Sequence, residues 1–106
     1  MNFLAKKLKE LREEKGFSQY KLSEELNIKR SAYGNYETGL SYPEYNVLEK
    51  IADYYKVDVR ELLGSSEELE KKLNLKEEKN NVERAIKEYY YKKYRVVPSD
   101  KILNNK

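Results

Sequence analysis

Between Ser18 and Thr38 the chain carries the pattern of two short helices joined by a turn that few residue types tolerate. Leu22 and Leu26 stand four apart among charged neighbours, as one buried helical face requires. Small Ser23 falls where two helices can cross closely, Asn27 where the chain needs a positive φ, and Ile28 where an apolar side chain can plug the turn. Asparagine is the non-glycine residue best suited to that left-handed conformation. Ser18, directly before Gln19, offers a hydroxyl to an orphan amide of the first turn. Local chemistry therefore specifies this unit, and the rest of the chain must pack around it.

The apolar spacing predicts an all-α protein with five short helices in residues 1–64. The first, about Phe3 to Lys15, aligns Leu4, Leu8 and Leu11 on one stripe and stops at Gly16. The second begins at Gln19. The third, about Arg30 to Thr38, is expected to bury Tyr33 and Tyr36 and to end before Gly39. Pro43 is expected to open the fourth, since proline is favoured at a first helical position, with Val47, Leu48, Ile51, Ala52 and Tyr55 facing inward. A fifth, Val59 to Leu63, takes Asp58 as its cap and closes at Gly64.

Residues 65–106 read as a C-terminal helical extension. Ser65-Ser66 cap a segment with Leu69 and Leu73 on one face, and a polar stretch from Lys76 to Asn81 interrupts it. Val82, Ile86, Tyr89, Tyr90 and Tyr94 then recur at helical offsets until Val97-Pro98 ends the pattern. Five helices can close a core of their own. This tyrosine-rich stripe is therefore expected to serve as a dimer or partner interface in preference to extra local core.

Composition narrows the function. The 106 residues contain no cysteine and no histidine. Disulfides, thiolate zinc sites and imidazole bases are thereby excluded, so neither catalysis nor a cofactor or metal is expected. Adjacent carboxylates such as Glu24-Glu25 or Glu67-Glu68 point to different sides of a helix and form no acid–base pair. No stretch of ~18 apolar residues occurs and the N-terminus lacks a signal-peptide pattern, so a cytoplasmic protein without membrane contact is expected. Residues 1–63 hold eleven Lys/Arg against eleven Asp/Glu; the net charge of +3 lies wholly in the remainder. Within the neutral part, Lys21, Lys29 and Arg30 cluster around the two-helix unit.

Residues 3–64 resemble the Cro/repressor-type helix-turn-helix domain of bacteria and phages, the xenobiotic-response-element family, with its five-helix, lambda-repressor-like fold. The resemblance is carried by Leu11-Arg12, Gln19, Leu22-Ser23 where the family usually has Leu-Ala, Tyr36-Glu37-Thr38-Gly39, Pro43, Leu48-Glu49-Lys50-Ile51-Ala52 and Leu62-Leu63. Two positions depart from the family pattern. Asn27 replaces the usual turn glycine, and Gly34 stands inside the third helix, where glycine costs ~1 kcal/mol relative to alanine. The second departure predicts a helix that frays until DNA orders it.

The resemblance implies double-stranded DNA as partner, with the third helix in the major groove presenting Lys29, Arg30, Ser31 and Asn35 to base edges. Lys and Arg can donate to guanine O6 and N7, Asn can pair with adenine N6 and N7, and Ser can read either. Phosphate contacts are expected from Gln19, Lys21, Thr38, Ser41 and Tyr42, although Tyr42 could equally pack against its neighbours. Arg12 and Glu37 are the family's expected structural ion pair. Together these readings imply a transcriptional regulator, most simply a repressor of phage or mobile-element type that binds an inverted repeat as a homodimer. The alternative is an antitoxin-like or developmental switch protein whose C-terminal helix binds a regulatory protein.

Overall fold

The structure, a computed structural model, describes residues 2–64, 71, 79–94 and 96. The expected segment around Leu69 and Leu73, its Ser65-Ser66 cap and the Val97-Pro98 stop lie outside the described residues. The described residues include helices α1 (Phe3–Lys15), α2 (Gln19–Leu26), α3 (Arg30–Thr38), α4 (Tyr45–Tyr55), α5 (Val59–Leu63) and α6 (Lys79–Tyr94). Among the described residues no helix is long and apolar enough to cross a membrane.

Turn chemistry sets most of the boundaries. Asn2 caps α1, its Oδ1 accepting from the Ala5 amide at 2.8 Å, and Gly16 ends it at φ 77°. There the amides of Gly16 and Phe17 return to the carbonyls of Glu13 and Arg12, pairing two of the carbonyls that a helix C-terminus leaves open. Ser18 Oγ accepts from the Lys21 amide at 3.0 Å. Asn27 adopts φ 54° and lets the Ile28 amide reach the Ser23 carbonyl at 2.9 Å, so α2 closes by the same device with asparagine in place of glycine. Asp58 caps α5 by accepting from the Arg60 amide at 2.8 Å.

α4 starts later than expected. Pro43 is buried rather than helical, Glu44 takes the cap position in an extended conformation, and the helix runs from Tyr45. The physical reason is tertiary: the Pro43 carbonyl accepts the Tyr90 hydroxyl of α6, a bond that sets its direction.

α1 packs on α3 and α5, α2 on α3 and α4, and α4 on α5 and α6. Leu4, Leu8, Leu22, Leu26, Tyr33, Leu48, Ile51 and Leu62 form one cluster, each at most 1% exposed. The same cluster includes Ile86, Tyr89 and Tyr90 of α6, with Val82 and Tyr94 half-buried at its edge. This corrects the expectation that Val82, Ile86, Tyr89, Tyr90 and Tyr94 form an open dimer or partner interface. The stripe is covered by the chain's own α4 and the loop before it. Local periodicity reveals that a face must be buried but not against what.

Candidate nucleic-acid interface

The geometry of α3 is governed by Glu37, a carboxylate only 3% exposed in a helix that otherwise buries Tyr33. Burying a charge costs several kcal/mol unless charge and hydrogen bonds compensate. Here they do. Arg12 of α1 donates from Nε to Oε2 at 2.7 Å and from Nη2 to Oε1 at 3.1 Å, a bidentate pair, while Gln19 of α2 donates to Oε1 at 3.0 Å. The remaining Arg12 donor, Nη1, binds the Phe17 carbonyl at 2.7 Å and so fixes the α1–α2 loop as well. Burial alone would raise the Glu37 carboxyl; the bonds from Arg12, Tyr33 and Gln19 outweigh it and hold the group below the usual carboxylate range. One side chain thus locks three helices.

With its inner face anchored, α3 presents the opposite face to solvent. Tyr33 and Glu37 are one turn apart on the buried side, and Ser31 and Asn35, equally one turn apart, are exposed. Lys29 and Arg30 are exposed at the N-terminal end, where Lys29 occupies the cap position with no side-chain hydrogen bond to the first turn. The helix therefore lacks the side-chain acceptor that Ser18 supplies to α2, and its positive end carries two cations. Such an end attracts anions. Of the four residues expected to read bases, Ser31 and Asn35 are exposed on the outward face of α3, and Lys29 and Arg30 are exposed at its N-terminal end.

The residues expected on phosphates are distributed less simply. Lys21 is exposed in the first turn of α2, its Nζ 3.4 Å from Glu25 one turn on. Thr38 is exposed, but its hydroxyl donates to the Asn35 carbonyl at 3.1 Å and accepts from the Leu40 amide at 3.4 Å. Ser41 is half-buried in the loop that follows. Gln19 uses its amide nitrogen on Glu37, so the structure makes its side chain part of the anchor. Tyr42 accepts from Asn2 Nδ2 at 3.0 Å and its ring lies 4.8 Å from that of Tyr94, an arrangement that leaves the hydroxyl proton available while fixing the ring.

Gly34 also reads differently in three dimensions. α3 is helical throughout, Gly34 included. A Cβ at this position would meet Gln19 Oε1 at 3.4 Å, so the glycine marks where α2 and α3 cross beside the Glu37 anchor. Tertiary support offsets a local preference of ~1 kcal/mol. Sequence reasoning passed over Asn2, whose position before the Leu4/Leu8 stripe was the available signal for a cap. It also passed over Tyr20 and Leu40, which are 59% and 79% exposed at either end of the α2–α3 unit. Among the described residues no group of three or more carboxylates is arranged to hold a metal ion.

Residues 8–62 match the family described as helix-turn-helix, which is more than half of the chain. The chain belongs to the helix-turn-helix family. Its relatives include the HTH-type transcriptional regulator ImmR of Bacillus subtilis (strain 168), 38% identical over 64 residues that make up 60% of this chain and 50% of that protein. The HTH-type transcriptional activator BcrR of Enterococcus faecalis is 36% identical over 66% of this chain and 37% of its own length. The cryptic phage CTXphi transcriptional repressor RstR of Vibrio cholerae is 31% identical over 58% of this chain and 55% of its own. The matches thus span about half the length of these curated relatives, or less, and no solved structure matches the chain. For a helix-turn-helix protein the matched region is the part described above: it begins at Leu8, takes in the Glu37 anchor and ends at Leu62.

Proposed function

We propose that the protein is a sequence-specific, double-stranded DNA-binding transcriptional regulator. The observation that carries this reading is the two-faced α3, locked to α1 and α2 through Glu37, with Ser31 and Asn35 exposed on its outward side and Lys29 and Arg30 exposed at its N-terminal end. A rigid helix with hydrogen-bonding side chains on one outward face suits a major groove, whose base edges offer a donor and acceptor pattern distinct for each pair. Lys21, exposed in the first turn of α2, and the Ser41–Tyr42 loop that follows α3 suit the backbone. Repression by occluding polymerase, as a homodimer on an inverted repeat, is the form of regulation we favour. RstR is named a repressor and BcrR an activator, so the fold alone serves both signs. The homodimer and the antitoxin-like alternative both drew on the tyrosine stripe as an open surface, and burial of that stripe within the chain removes that support from each.

The test separates base reading from backbone contact. Arg30→Ala should lower affinity for a duplex selected by the wild-type protein by ~1–3 kcal/mol and relax preference at one or two base pairs. Lys21→Ala should weaken selected and random duplexes alike and reduce the salt slope by about one. Equal losses on both duplexes for both variants would remove α3 from the groove.

A further inference from the structure

The loop that leaves α3 is held from two sides. At its start, the amides of Leu40 and Ser41 both return to the Asn35 carbonyl, at 3.0 and 3.4 Å. At its end the partners come from α6, far along the chain. The Tyr90 hydroxyl donates to the Pro43 carbonyl, the Tyr91 hydroxyl accepts from the Tyr45 amide at 3.1 Å, and the Tyr94 ring lies against Tyr42. The Tyr45 amide is one of the first-turn donors that a helix leaves open, and here a tyrosine from another helix accepts it. Tyr36, on the inner side of α3, packs against the same cluster as Tyr90.

We propose that α6 is a positioning element for DNA binding: through Tyr90, Tyr91 and Tyr94 it holds the Ser41–Tyr42 loop in the conformation that meets the phosphate backbone. The inference rests on the DNA-binding reading above and adds a role for a helix outside the region that the family match covers. Ordering the backbone of such a loop costs conformational entropy, and without the contacts from α6 it would sample many conformations. Binding DNA from such an ensemble costs the ordering entropy at each encounter. A loop ordered in advance avoids that cost. Because the contact is with phosphates, the benefit falls on all sequences alike, whereas base preference stays with α3.

Hydrogen exchange and DNA titration on the full chain test this together, at a temperature where circular dichroism shows each variant folded. Tyr91→Phe removes only the oxygen that receives the Tyr45 amide. Tyr94→Ala removes the ring against Tyr42, and Tyr94→Phe restores it. Tyr91→Phe and Tyr94→Ala should speed exchange in the 40–47 segment by about tenfold or more while leaving α1 and α2 unchanged. Both should weaken binding to a selected duplex and to a random duplex by the same factor, with the salt slope unchanged because the loop carries no Lys or Arg, and Tyr94→Phe should bind as wild type. Unchanged loop exchange with intact wild-type binding overturns the inference alone. So does faster exchange with unchanged affinity for both duplexes, or a loss confined to particular base pairs. Failure of the wild-type protein to bind either duplex overturns the DNA-binding reading and this role with it, while the exchange data still report whether α6 orders the loop.

Discussion

α3 and α6 are both fastened to the same core, but by opposite chemistry. α3 is held by a buried carboxylate that accepts hydrogen bonds from Arg12 and Gln19. α6 is held by uncharged tyrosines, whose rings fill the core while their hydroxyls reach backbone groups of the loop before α4 and of its first residue. A charged anchor specifies angle closely, because a bidentate guanidinium–carboxylate pair has one good geometry, yet it depends on protonation and fails badly when one partner is lost. A tyrosine contact combines apolar area with one hydrogen bond and is indifferent to acid. The helix proposed to present side chains in register has the first kind of anchor, and the helix proposed to order a loop has the second.

The largest effect should come from breaking the charged anchor. Glu37→Ala leaves Arg12 13% exposed without its carboxylate, and a loss of ~3 kcal/mol is expected by chemical denaturation, with coupling to Arg12→Ala in a double-mutant cycle. Its pH signature follows from the lowered Glu37 group. A carboxyl held below its unfolded value of about 4.3 contributes stability that is complete above that pH and disappears as pH falls through the folded value. The gap between wild type and Glu37→Ala should thus be full at pH 7 and should shrink below pH ~4. A gap that stays constant to lower pH would mean that packing, not charge, holds α3.

Tyr90→Phe probes the neutral anchor and should cost less, ~1–2 kcal/mol, because it leaves the buried Pro43 carbonyl without its donor while keeping the ring. Unlike the Glu37 gap, this one should be the same at pH 7 and at about pH 3. A pH-dependent loss would erase the contrast between the two anchors.

How legible each region was in the sequence follows from the range of the contacts that form it. Ser18, Asn27, Gly16, Gly39 and Asp58 act within a few residues of themselves, and their turns could be read directly. The exposed group on α3 followed from helical periodicity together with the family pattern. Arg12 and Glu37, 25 residues apart, were paired through the resemblance and not through spacing, and the structure brings them to 2.7 Å. Three features depended on the final packing and could not be read. Gln19 turned inward because Glu37 is buried beside it; α4 began at Tyr45 because Pro43 bonds a residue 47 positions away; and the tyrosine stripe met its own chain. Hydrophobic periodicity says that a surface must be covered, and only topology says by what.

The smallest effect sharpens the comparison by reversing its sign. Tyr55 lies at the end of α4, half-buried against the core and edge-on to Tyr54 at 5.2 Å between ring centroids. Among the described residues it carries a buried side-chain oxygen that no partner reaches. Its ring therefore does what the ring of Tyr90 does, but its hydroxyl does not. Burying a hydroxyl without a hydrogen bond costs free energy that phenylalanine would not incur. Tyr55→Phe should accordingly leave stability unchanged or raise it by up to ~1 kcal/mol, where the same chemical change at Tyr90 lowers it. Parallel denaturation curves of the two variants make the comparison at fixed side-chain volume, so the difference isolates the hydroxyl's partner. A loss at Tyr55 equal to that at Tyr90 would show that both hydroxyls are bonded, the former through a buried water, and that tyrosine hydroxyls stabilise this core wherever they occur and not only where α6 meets the loop.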